Sequence, residues 1–157
     1  MILESRRENV KNAARDGRPG IKRPMRPRSR PGTLKRMSEE APISVIVYAS
    51  DLMFRSRISA EARAAGRRAT AATTTTQLPD KLGASPITLI LVDMDMPDAA
   101  EAIRISRQLG PAVPIVAYYS HVRDDLRKAA TGAGATHIMP RSQFVVRLPE
   151  LLHENAG

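Results

Sequence analysis

The sequence predicts an α/β fold: a doubly wound, five-stranded parallel sheet between two helical layers. Three observations predict it. Short apolar runs rich in β-branched residues recur at 43–48, 88–92 and 113–118, each too short for a helix. These runs are continuous rather than alternating, as expected of strands buried on both faces. Between them lie longer stretches whose apolar residues fall at helical spacing.

The elements follow in order. Residues 43–48 form the first strand, and Ser50 and Asp51 then supply N-cap chemistry. Residues 51–65 read as a helix with Phe54, Ile58 and Ala62 on one side, while Arg55, Arg57, Arg63 and Arg67 point elsewhere. Gly66 suits the position after the helix. Residues 68–72 are a weakly signalled second strand. Residues 73–82 are ambiguous, with Pro79 early in a short helix, and 83–86 are a turn. Residues 88–92 are the clearest strand and end at Asp93, followed by a loop at 94–97. Asp98 and Glu101 have the spacing of a capping pair for a helix running to Leu109, which Gly110 and Pro111 stop. A strand at 113–118, a helix at 124–133 with Leu126, Ala129, Ala130 and Ala133 on one side, a short strand at 136–139 and a helix at 142–152 complete the pattern. Strands that alternate with helices imply long, right-handed crossovers, and function then collects at the carboxyl ends of the strands.

Composition narrows the chemistry. The chain has 157 residues, enough for one domain plus a tail. It has no cysteine, which excludes disulfides, thiolate metal sites, iron–sulfur clusters and cysteine nucleophiles. Aromatics are 3% with no Trp, which disfavours base-stacking platforms. No apolar run is long enough to span a membrane and no secretory signal is visible, so the expected location is the cytoplasm.

The net charge of +9 belongs entirely to residues 1–36, whereas residues 37–157 are neutral. This Arg-rich stretch is punctuated by Pro19, Pro24, Pro27 and Pro31 and has few large apolar residues, so residues 1–41 are expected to be a disordered basic tail. Three readings of it are open. It is an arm making weak, salt-dependent contact with nucleic acid through residues 1–36, or a solvated tail without a partner, or a mis-called start with Met37 as the true first residue.

The strand ends carry a resemblance. Leu89-Ile90-Leu91-Val92-Asp93-Met94-Asp95-Met96-Pro97, with its D-x-x-M-P loop, resembles strand three of the receiver domain of two-component response regulators. Asp51-Leu52-Met53-Phe54-Arg55 resembles the start of that family's first helix, Pro114-Ile115-Val116-Ala117 its strand four, and Gly134-Ala135-Thr136-His137-Ile138-Met139 its approach to strand five. The resemblance covers about residues 43–152 and implies a receiver-like domain at 42–155 with a flavodoxin-like, three-layer fold and strand order 2-1-3-4-5.

By this resemblance, Asp93 stands where the family accepts a phosphoryl group, and the transfer needs Mg²⁺, further carboxylates and a Lys. The chain departs from that pattern. Ala49 and Ser50 stand where the acidic pair is expected, and Asp51 comes one position later. Tyr119 aligns with the Thr or Ser after strand four, with Ser120 one residue on. Arg141 replaces the Lys and Ser142 the following Pro. The expectation is therefore a pseudo-receiver: not an enzyme, with no cofactor and no metal site, in which Asp93 hydrogen-bonds nearby backbone N–H groups. Asp51, Asp95, Tyr119, Ser120 and Arg141 are its pocket-lining candidates. The resemblance implies a protein partner, a histidine kinase or a downstream effector, bound through the surface from Asp124 to Leu152. The alternative is a working phospho-acceptor on Asp93.

Other motifs are absent. There is no glycine-rich dinucleotide or nucleotide loop and no nucleophile elbow. His121, His137 and His153 are not spaced as a cluster. The four threonines at 73–76 are expected to be a loop feature. Leu52, Met53 and Phe54 cannot all face inward on one helix, so one or two are expected to be exposed near the pocket rim. Packing under the loop after strand one is the main expectation, with a partner-contact patch as the alternative.

Overall fold

A computed structural model describes residues 41–155. The tail expected at 1–41, its nucleic-acid contact and the start at Met37 lie outside the described residues but for residue 41.

Five strands and five α-helices alternate: β1 (Ile43–Tyr48), α1 (Leu52–Ala64), β2 (Arg68–Ala72), α2 (Leu78–Ala84), β3 (Leu89–Asp93), α3 (Ala99–Leu109), β4 (Ile115–Tyr119), α4 (Asp124–Ala133), β5 (His137–Pro140) and α5 (Arg141–Glu154). A 3₁₀ turn (Thr75–Gln77) precedes α2. All strand pairs are parallel, in the order β2-β1-β3-β4-β5.

The central strands are apolar on both sides because both sides are covered. Alternate residues feed two separate clusters. Ile46, Tyr48, Ile90, Val92, Ile115, Ala117 and Tyr119 pack with α3 and α4 residues such as Ile103 and Ala130. Val45, Val47, Leu89, Leu91, Val116 and Tyr118 pack with Ile58 and Ala62 of α1 and with Phe144, Leu148, Leu151 and Leu152 of α5. The switch in strand order at β1 and β3 puts a crevice at their carboxyl ends.

Several elements differ from the sequence expectation, each for a local reason. Pro114 has no N–H to donate, so β4 begins at Ile115 and runs on to Tyr119. Helix α2 continues through Gly83, expected in a turn, with Pro79 tolerated in its first turn. The last helix begins at Arg141 and carries Pro149 within it. Asp98 occupies the N-cap position of α3 but makes no capping bond. Its Oδ1 instead accepts the Tyr48 hydroxyl at 2.6 Å, and Glu101 pairs with Arg104. Burial, reinforced by Asp98, pushes the Tyr48 hydroxyl far up. Of the three apolar residues that open α1, Leu52 and Met53 are 66% and 81% exposed and do not pack under the loop after β1, and Phe54 turns inward, in keeping with a helix that cannot bury all three.

Arg67 is the largest departure. It lies beyond α1 and is buried rather than on an outer helix face. Its Nη1 donates to the Leu152 carbonyl at 2.8 Å and its Nε to Ser44 Oγ at 3.1 Å, and Nη2 donates to Thr88 Oγ1. One guanidinium thus ties the starts of β1 and β3 to the end of α5. Arg107 does the same work at the start of β4 and β5, donating to the carbonyls of Gly134, Pro111 and Val113 and to Thr136 Oγ1.

Arg67→Ala should strand the acceptors on Leu152 and Thr88 and lower unfolding stability by about 2–4 kcal/mol. Arg67→Lys should recover less than half, because an ammonium lacks the planar fork. Urea midpoints of the two variants check both expectations.

Candidate functional site

Alternation along the strands decides which side chains meet at the carboxyl edge. Leu89 and Leu91 face the α1–α5 layer, so Asp93, two residues on, faces it as well. Across the sheet Asp93 registers with Tyr118, and Tyr118 with Met139. Arg141 follows Met139 by two residues and opens α5 on the same side. A carboxylate, a phenol and a guanidinium are therefore gathered on one face by register alone.

Asp93 is 4% exposed. Its Oδ2 accepts Arg141 Nη2 at 2.7 Å, and its Oδ1 accepts the Asp95 backbone N–H at 3.0 Å. Asp95 Oδ2 accepts the backbone N–H of Ser120 at 3.0 Å as well as the Ser120 hydroxyl, and lies 3.8 Å from Arg141 Nη2. Asp51 caps α1, its Oδ1 accepting the Phe54 N–H at 3.0 Å, while its Oδ2 lies 3.8 Å from Arg141 Nη1. Beneath the guanidinium is an aromatic floor. Its carbon sits 4.7 Å from the centroid of Phe54 and 5.7 Å from that of Tyr118, within cation–π range. Phe54 meets Tyr118 edge-on at 5.3 Å, and Tyr118 stacks on Phe144 at 4.3 Å.

The electrostatics follow from burial. Desolvation pushes the Asp93 carboxyl above its ordinary value, outweighing the Asp95 N–H and Arg141, which pull it down. Burial likewise pushes the Tyr118 hydroxyl up, with the Asp93 charge adding to the effect. The Tyr118 hydroxyl and Arg141 Nε are both buried without a hydrogen-bond partner.

The structure brings Asp51, Asp93, Asp95, Ser120 and Arg141 into one cluster. It does not bring Tyr119, which packs on the opposite face with Tyr48 and Val92. Sequence reasoning missed Tyr118 and Phe54. The signal for Tyr118 was parity: the residue that shares a face with Asp93 is its register partner, one position before Tyr119. His121 stands in the β4–α4 loop with a positive φ of 61° and borders a groove lined also by Val122, Pro140, Ser142 and Val145. Among the described residues no group of three or more His, Asp or Glu side chains is arranged to hold a metal ion.

No family model and no curated protein sequence matches the chain. Solved structures do. The receiver domain of a sensor histidine kinase from Pseudomonas aeruginosa PAO1, with a magnesium ion coordinated in its active-site cleft, is 22% identical with a TM-score of 0.63, over 73% of this chain and 98% of that one. A response regulator receiver domain protein from Methanospirillum hungatei JF-1 is 16% identical with a TM-score of 0.60, over 73% and 98%. An orphan response regulator of H. pylori is 10% identical with a TM-score of 0.59, over 73% and 94%.

The residues present here do not fit the magnesium ion of the Pseudomonas domain. Ala49 and Ser50 follow β1, one oxygen of Asp51 is committed to capping α1, and Arg141 lies against the free oxygen of Asp93. With its wound five-stranded sheet in the order β2-β1-β3-β4-β5 and these structural neighbours, the described part of the chain has the fold of a response-regulator receiver domain.

Proposed function

We propose that residues 41–155 form a receiver-like signalling module that acts by protein contact, without metal-dependent phosphoryl transfer. The observation that supports this most directly is the 2.7 Å bond from Arg141 to Asp93 Oδ2. A carboxylate accepts a phosphoryl group only if an oxygen is free to attack and cations neutralise the transferring oxygens. Here one oxygen of Asp93 is bonded to a backbone N–H and the other to a guanidinium. The partner is a protein, a histidine kinase or a downstream effector, and the contact surface runs from Asp124 to Leu152.

Incubation with acetyl phosphate and Mg²⁺, followed by intact mass measurement, tests the reading. The expected result is an unchanged mass, with no phosphate added to the parent chain or to Asp93→Asn. A stoichiometric phosphate adduct present in the parent chain and lost in Asp93→Asn would instead make the protein a working phospho-acceptor.

Asp93 also has a stability signature. Because the fold raises its pKa, the neutral carboxyl is the form the folded state favours. Its contribution to stability is fully present below the unfolded-state value, about 3.9, and is lost as pH rises through the raised folded-state value. Asp93→Asn lacks this titration. Urea unfolding at a series of pH values should show the variant gaining on the parent chain across that window and then holding a constant advantage. An advantage that shrinks with pH would mean that Arg141 outweighs burial.

A further inference from the structure

Three carboxylates from different parts of the chain share one cation. Asp51 approaches from the start of α1, Asp93 from the end of β3 and Asp95 from the loop beyond, and each has an oxygen 2.7–3.8 Å from a guanidinium nitrogen of Arg141. Each carboxylate also accepts a backbone N–H, from Phe54, Asp95 and Ser120 respectively, so their positions are set by the main chain and not by the arginine alone. The guanidinium is seated independently, over the Phe54 ring and beside Tyr118. It cannot dissociate, because it is carried by the first residue of α5.

We propose that Arg141 is the resident counter-ion of this carboxylate group. It is supplied by the chain in place of a divalent metal, and it holds the first turn of α5 against the carboxyl ends of β1 and β3 whatever the metal concentration. A divalent ion would have to displace the guanidinium from both its carboxylates and its aromatic seat. This assignment deepens the reading above and rests on it for the claim that no metal is needed at the site.

The test uses the full chain, ¹⁵N-labelled, with amide spectra and thermal unfolding recorded in EDTA and in excess MgCl₂. The amides of Asp51, Asp93, Asp95, Ser120 and Arg141 are expected to keep their positions, and Tm its value. Arg141→Gln is expected to lower Tm by roughly 5–10 °C, because it leaves the buried Asp93 without its partner. Asp93→Asn is expected to raise Tm more in the Arg141→Gln background than in the parent chain, a difference that a merely packing role for Arg141 would not give. Shifts of those amides with Mg²⁺ in the parent chain would overturn the proposal, and that measurement needs no variant to fold. A gain from Asp93→Asn that is equal in the two backgrounds would overturn it too. A phosphate adduct formed from acetyl phosphate in EDTA, with acetate leaving, would make Asp93 a metal-independent phospho-acceptor and remove the reading of action by protein contact alone, while the counter-ion assignment stands.

Discussion

A buried charge must have a partner, and at the carboxyl edge of this sheet that requirement organises everything around it. Asp93 lies at the end of a strand covered on both faces, where water does not reach. The nearest compensation is the Arg141 guanidinium, and its placement depends on β5 lying beside β4 in the register that brings Met139 opposite Tyr118. The aromatic trio of Phe54, Tyr118 and Phe144 fills the space beneath and gives the cation a polarisable surface. Sheet order, strand parity and aromatic packing therefore converge on a single ion pair.

Arginine is used for the same purpose elsewhere in the molecule. At the amino edge of the sheet Arg67 and Arg107 each satisfy several main-chain or hydroxyl acceptors that strand starts leave open. A planar fork with five donors can serve acceptors on several elements at once, which an ammonium cannot. The two edges differ in what the arginines face. At the amino edge they meet main-chain carbonyls and hydroxyls; at the carboxyl edge Arg141 meets side-chain carboxyl groups.

Much of the fold was legible in the sequence. Continuous apolar runs at 43–48 and 88–92 marked buried parallel strands, and the D-x-x-M-P loop after the second placed Asp93 at a strand end. What was not legible depended on contacts between distant residues. Asp98 has capping chemistry by spacing, yet a tyrosine fifty residues earlier takes its carboxylate. Arg67 reads as a solvated charge beside Arg68, yet it is the side chain whose reach matches the Leu152 carbonyl. At the site, Asp51, Asp93, Asp95, Ser120 and Arg141 were identifiable from strand ends alone. Tyr118 and Phe54 were not: the strand end pointed to Tyr119, while register puts Tyr118 on the face of Asp93, and Phe54 meets that face only through tertiary packing.

Helix α5 is fastened at both ends, by Arg141 at its first residue and by Arg67 at the Leu152 carbonyl near its last turn. A rod pinned twice cannot rock about either end without breaking a guanidinium contact. On the proposed reading, a protein docking along it would meet a landing strip already in shape and would forfeit little entropy on arrival. Such a surface discriminates between visitors by fit, not by being remoulded.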